Sequence, residues 1–171
     1  MDTIVDKKSA PGADDAPDPS RRVLIATLLA GVVAAPFSAR LAAAEKRSIE
    51  VWLGQGCGCC KDWVAHLQEN GFEVLSHEGG NSEARDRLGM PVRYGSCHTG
   101  EIDGYAIEGH VPANDVRRLV AERPDAIGIS VPAMPRGSPG MDGPAYGNVK
   151  DPYDVLLVDR DGNASVFESY R

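Results

Sequence analysis

The sequence predicts a single α/β domain, and three observations carry that prediction. A short β-prone run, Ile49 to Leu53, breaks at Gly54-Gln55-Gly56, and a helical pattern follows soon after. A second strand-like run, Phe72 to Leu75, and a second short helical stretch, Ser82 to Leu88, extend this to a β-α-β-α opening. Near the C-terminus, Val155 to Val158 and Ser165 to Phe167 flank Asp159-Arg160-Asp161-Gly162-Asn163, a strong hairpin signal. The 171 residues leave room for one core of ordinary size and no second.

The remaining elements follow in chain order. The first helix spans Lys61 to Asn70, with Trp63, Val64 and Leu67 on one face and Gly71 as its stop. Gly89 and Pro91 end the second helix. Tyr94 to His110, punctuated by Gly95, Gly100, Gly104 and Gly109, reads as irregular backbone leading into a short strand around Tyr105 and Ile107. A helix from Ala113 to Glu122 starts beside Asn114 and Asp115 and closes at Arg123-Pro124. Val131 to Gly147, rich in Pro, Gly and Met, reads as a long ordered surface loop, of a length that usually carries function or is disordered. No internal repeat is present.

The chain opens with a polar stretch to Ser20, then Arg21-Arg22, an apolar run from Val23 to Phe37, and small residues ending Ala42-Ala43-Ala44. That layout predicts a signal peptide over residues 1–44, cleaved near Ala44, ahead of a domain over 45–171. The apolar run is too short, and too interrupted by Thr27, Gly31 and Pro36, for a retained span. Arg21-Arg22 resembles a twin-arginine export signal, although the aromatic and lysine of its fullest form are missing. Either export route ends outside the cytoplasm. A net charge of −7 with no basic stripe argues against nucleic acid as a partner.

Three of the four cysteines stand within Cys57-Gly58-Cys59-Cys60, poor spacing for stapling large loops. Cys57 and Cys60 form a C-x-x-C pair between a strand and a helix start, a thioredoxin-like placement in which backbone N–H groups and the helix dipole favour thiolate. Thiolate is both the nucleophile of disulfide exchange and the soft ligand of Cu(I), so the pair suits either chemistry. Cys59 shifts the balance towards metal, because a third thiol scrambles a purely redox pair but enlarges a sulfur cluster. A buried structural disulfide, for example Cys57 with Cys97, is the plain alternative.

Cys97-His98 sits among small residues that allow it to approach the first cluster, adding one sulfur and one nitrogen. His110 is a further candidate ligand, evenly balanced against a polar residue before a turn, whereas His66 and His77 read as surface residues. Met134 and Met141 lie on the Gly/Pro-rich loop with no periodic stripe to explain them, and thioether sulfur suits Cu(I). Cys57, Cys60, Cys97 and His98 would also complete a Cys3His zinc tetrahedron. That reading leaves the methionines unexplained and lacks a spacer between Cys97 and His98.

Taken together, Cys57-Gly58-Cys59-Cys60-x-x-Trp63, Ser96-Cys97-His98-Thr99, Gly104-Tyr105-x-Ile107-Glu108-Gly109-His110-Val111-Pro112, and Val131-Pro132-x-Met134-Pro135 with Gly137-Ser138-Pro139-Gly140-Met141 resemble the CopG-like family of periplasmic copper-resistance proteins. The resemblance covers about Ile49 to Met141. It implies a single thioredoxin-like domain, with a central mixed sheet flanked by helices, that binds copper through cysteine sulfur in a multinuclear site and has a redox role in copper tolerance. Cys57, Cys59, Cys60 and Cys97 match the family's cysteines, and His98, His110, Met134 and Met141 match its other candidate ligands. Ala133 stands where glycine is usual and Asp142 where glutamate is usual. The expected partners are Cu(I), Cu(II) and other periplasmic copper-handling proteins. A thiol-disulfide oxidoreductase using Cys57 and Cys60, and a passive metal carrier, are the rival readings.

Overall fold

In the computed structural model, which describes residues 47–147 and 149–171, the run Ser48–Leu53 forms strand β1 and buries Ile49, Val51 and Leu53. Their period of two is that of a strand with one face in the core. Helix α1 (Gly58–Glu69) starts earlier than the predicted Lys61, so Cys59 and Cys60 lie in its first turn and Cys57 is its N-cap residue. Strand β2 (Glu73–Glu78), parallel to β1, and helix α2 (Asn81–Arg87) complete the predicted β-α-β-α opening.

The stretch expected to be mostly irregular contains a hairpin. Strands β3 (His98–Ile102) and β4 (Tyr105–Glu108) pair antiparallel across Asp103-Gly104. Both turn residues have positive φ, 51° and 82°, the geometry that an Asp-Gly pair accommodates. Helix α3 occupies Ala113–Glu122, its predicted span. Strand β5 (Ala126–Ser130) has no counterpart among the predicted elements. All five of its residues are buried, so it lacks the polar alternation that marks a half-exposed strand. The Pro/Gly-rich loop holds one 3-10 turn, Pro144–Tyr146, and strands β6 (Tyr153–Asp159) and β7 (Ala164–Tyr170) form the predicted closing hairpin.

The strands make one mixed sheet in the order β2-β1-β3-β4-β5-β6-β7, parallel at β1/β2 and β4/β5 and antiparallel elsewhere. On one face, Cys60, Trp63 and Leu67 of α1 and Val116 and Leu119 of α3 share a core with Ile107 and Ile129. A smaller cluster joins Met90, just past α2, to Ala106, Ile127 and Val158. Adjacent Ala106 and Ile107 fall in different clusters because successive strand side chains point to opposite faces. The described residues thus form one α/β domain, within the unit Ala42–Arg171. The expected leader, residues 1–44, lies outside the described residues. Among the described residues no helix is long and apolar enough to cross a membrane.

Candidate metal centre

The first half of the site is built by the β1–α1 junction. Cys57, extended at the N-cap, leaves the first amides of α1 without a side-chain cap, and the first turn carries no acidic residue. Negative charge on a nearby sulfur is therefore the natural complement of that helix end. The second half comes from the segment that leads into β3. The Gly54 amide donates to the Cys97 carbonyl at 2.8 Å, and a Cβ at Gly54 would stand 2.8 Å from that same oxygen. Glycine at 54 is thus what lets the two backbones close up. Gly140 plays a similar part on the long loop: it has φ of 80°, and a Cβ there would lie 2.7 Å from Cys59 O and Trp63 N.

The sulfurs of Cys57, Cys59, Cys60 and Cys97 all lie within 4.8 Å of one another. That is about twice a metal–thiolate bond of roughly 2.3 Å, so one or more soft cations can be shared among them. Cys57 and Cys60 are joined as a disulfide, while Cys59 and Cys97 are free. The plain alternative, a Cys57–Cys97 bridge, is not the pairing found. A four-thiolate site therefore requires two-electron reduction of the Cys57–Cys60 bond.

Cys97 also belongs to a second group, with His98 and His110, whose ligand atoms again lie within 4.8 Å of one another. His98 Nε2 donates to Gly109 O at 2.9 Å and His110 Nδ1 donates to Pro139 O at 2.8 Å, since a carbonyl can only accept. Burial lowers both imidazoles, His98 to about 3 with His110 as a second cause. Both rings are therefore neutral at pH 7. Their remaining lone pairs, on His98 Nδ1 and His110 Nε2, face Cys97 Sγ at 3.4 and 3.2 Å. One thiol proton cannot serve two acceptors, whereas a cation beside Cys97 would satisfy both. Carbonyl partners that set the tautomer and aim the free nitrogen are the usual outer support of a metal site. Burial and the neighbouring Cys59 push the Cys97 thiol up to about 12, so a cation would have to displace its proton.

The methionines differ in setting. Met141 is 8% exposed, beside the Gly140 contact with α1, whereas Met134 is 49% exposed and lines a cavity of about 380 Å³ with Pro132, Pro135 and Tyr153. The proposed Cys3His zinc set is divided, because His98 groups with Cys97 and His110 rather than with Cys57 and Cys60. His77 is a surface residue as expected, bonded to Glu50 at 2.7 Å. His66 is not: it is half-buried, and its Nε2 accepts the Ala113 amide at 3.1 Å, capping the start of α3. Sequence reasoning passed over Arg85 and Glu108, a buried pair behind Cys97. The available signal was a carboxylate inside the otherwise apolar strand Tyr105–Glu108.

Residues 94–141 match a family model described as a protein of unknown function, DUF411. The chain is similar to two solved structures of a copper resistance protein, CopG. Form 2 shows 48% identity and a TM-score of 0.69, with 74% of this chain and 100% of that chain covered. Form 1 shows 49% identity and a TM-score of 0.68, with 74% and 98% covered. No curated protein sequence matches the chain.

Proposed function

The chain belongs to the family of the copper resistance protein CopG, and from that premise we propose that it is an exported protein that binds Cu(I) through its cysteine sulfurs. The observation that carries the proposal is the meeting of four sulfurs, with two neutral imidazoles aimed at Cys97. Cys57, Cys59, Cys60 and Cys97 supply thiolates, His98 and His110 supply nitrogen, and Met141 and the more exposed Met134 supply neutral thioether. The set is soft and sulfur-rich, which suits Cu(I), with the imidazoles able to follow an ion to Cu(II). With two groups sharing Cys97, a multinuclear site is the natural arrangement. The signal-peptide layout of residues 1–44 supports a periplasmic location for residues 45–171. The sheet order β2-β1-β3-β4, with α1 leading from the cysteines, supports the thioredoxin-like reading of the fold.

Anaerobic titration of the reduced protein tests this. Stoichiometric Cu(I) uptake with sulfur-dominated X-ray absorption is expected, and uptake no tighter than by a variant lacking all four cysteines would refute it. The joined Cys57–Cys60 pair favours a second reading, a thiol-disulfide oxidoreductase with Cys57 as nucleophile and Cys60 as resolving thiol. In that case Cys59→Ser with Cys97→Ser leaves disulfide reduction intact. On the copper reading the same pair of changes abolishes Cu(I) binding.

A further inference from the structure

The most expensive group in this domain is one the copper chemistry does not use. Glu108 on β4 is fully buried, and Arg85 of α2 reaches it with only 7% of its own surface exposed. Burying two charges costs several kcal/mol of lost hydration per ion, and a well-packed apolar pair in their place is often as stable or more so. Core stability alone is therefore a weak reason for such a pair.

Its hydrogen bonds indicate a more specific role. Glu108 Oε1 accepts from Arg85 Nε at 3.1 Å, from Arg85 Nη2 at 2.9 Å and from the Ser96 amide at 2.5 Å. Glu108 Oε2 accepts from Thr99 Oγ1 at 2.7 Å, and Arg85 Nη2 also donates to Ser96 O at 2.8 Å. Three of these bonds grip Ser96 and Thr99, the residues on either side of Cys97-His98. Thr99 and His98 are adjacent strand residues and point to opposite faces. His98 packs on Trp63 of α1, with ring centroids 4.2 Å apart, while Thr99 meets the ion pair. Cys97-His98 is thus held from behind the sheet while its side chains work in front.

We propose that Arg85 and Glu108 are positioning residues that clamp Ser96 and Thr99 and so fix where Cys97 Sγ and His98 Nδ1 point. This rests on the reading of Cys97 as a copper ligand. Neither residue bonds to the sulfur cluster, so their effect passes through the chain from Ser96 to Thr99. Outer-shell supports of this kind typically change metal affinity roughly ten- to a hundredfold when removed.

The test uses the full chain with Arg85→Met and Glu108→Leu together, which replaces the pair by apolar groups and leaves no charge stranded. Two quantities are read: Cu(I) affinity of the reduced protein by chelator competition, and the ratio of Cys97 to Cys59 alkylation by iodoacetamide in the metal-free protein with Cys57–Cys60 joined. Cys59 lies on α1 and has no bond to the pair, and because its sulfur neighbours that of Cys97 each rate is also compared with its own value in the parent chain. The expected result is a protein that still folds, with a thermal midpoint lowered by roughly a few degrees because the Ser96 N–H and carbonyl lose their partners, a loss of Cu(I) affinity of about tenfold or more, and a Cys97/Cys59 ratio raised by roughly an order of magnitude as the segment opens locally. An unchanged ratio in the folded double variant overturns the proposal. If the parent chain binds no Cu(I), the proposed function fails, and the alkylation ratio still decides the clamp. Should the double variant fail to fold, Arg85→Met alone, which removes the bonds to Ser96 O and to Glu108 Oε1 while the buried carboxyl can take up a proton, is measured by the same two readouts, and an unchanged ratio there overturns the proposal equally.

Discussion

Replacing Trp63 by Phe tests the tie between the cysteine-bearing helix and the segment that carries His110. Trp63 is fully buried, and its Nε1–H donates to Val111 O at 2.8 Å. The substitution leaves that carbonyl buried without its indole partner, at a cost of about 1–3 kcal/mol. It also removes about three ring atoms from a packed core, a further loss of roughly 1–2 kcal/mol. The sum, about 3 kcal/mol, should lower the melting temperature of a domain of this size by roughly 10 °C. Thermal unfolding of the metal-free protein followed by circular dichroism, with a parallel urea titration, measures it. A loss below about 1 kcal/mol would mean that the Val111 carbonyl is otherwise satisfied, and that this bond does not hold α1 against the His110 segment.

Three further outcomes follow from the same geometry. Ala133 sits at φ 61°, so Ala133→Gly relieves backbone strain and should stabilise by about 0.5–1 kcal/mol in urea unfolding, net of the flexibility glycine adds; destabilisation would contradict this. His66 is held below its ordinary value of 6.5 chiefly by burial, so the unfolded chain takes up the proton first as the pH falls. Its contribution is complete above about 6.5 and is lost as the pH drops from there through the folded-state value. His66→Ala should therefore cost about 1 kcal/mol at neutral pH and above, by a margin that shrinks on acidification; a margin that grows would refute the assignment. Because the Cys97 thiol is pushed up to about 12, Cu(I) binding should release its proton near neutral pH. Apparent affinity then rises about tenfold per pH unit from this thiol alone, and a pH-independent affinity would remove Cys97 from the ligand set.

Much of this protein was legible in local pattern. The amphipathic face of Trp63, Val64 and Leu67, the glycine breaks after β1 and α1, and the Asp159–Asn163 turn marked elements because each signal lies within a few residues of its consequence. Strand β5 was invisible for the converse reason: burial on both faces erases the alternation that reveals a half-exposed strand. The Asp103-Gly104 hairpin carried its own signal, which the surrounding glycines obscured. His66 shows the same limit at single-residue scale, since its acceptor role depends on Ala113, far along the chain.

The residue types alone determined that the chain has an α/β pattern and that its chemistry is that of clustered thiols, because sulfur's softness and the strand–cysteine–helix order are properties of the sequence. Only the tertiary structure decided which groups meet. Sheet pairing brings Cys97 to the α1 cysteines through Gly54, divides the histidines from Cys57 and Cys60, and sets Arg85 and Glu108 behind Cys97-His98. Those contacts join residues from separate strands and helices, and the direction of a lone pair depends on carbonyls that only the folded backbone puts in place.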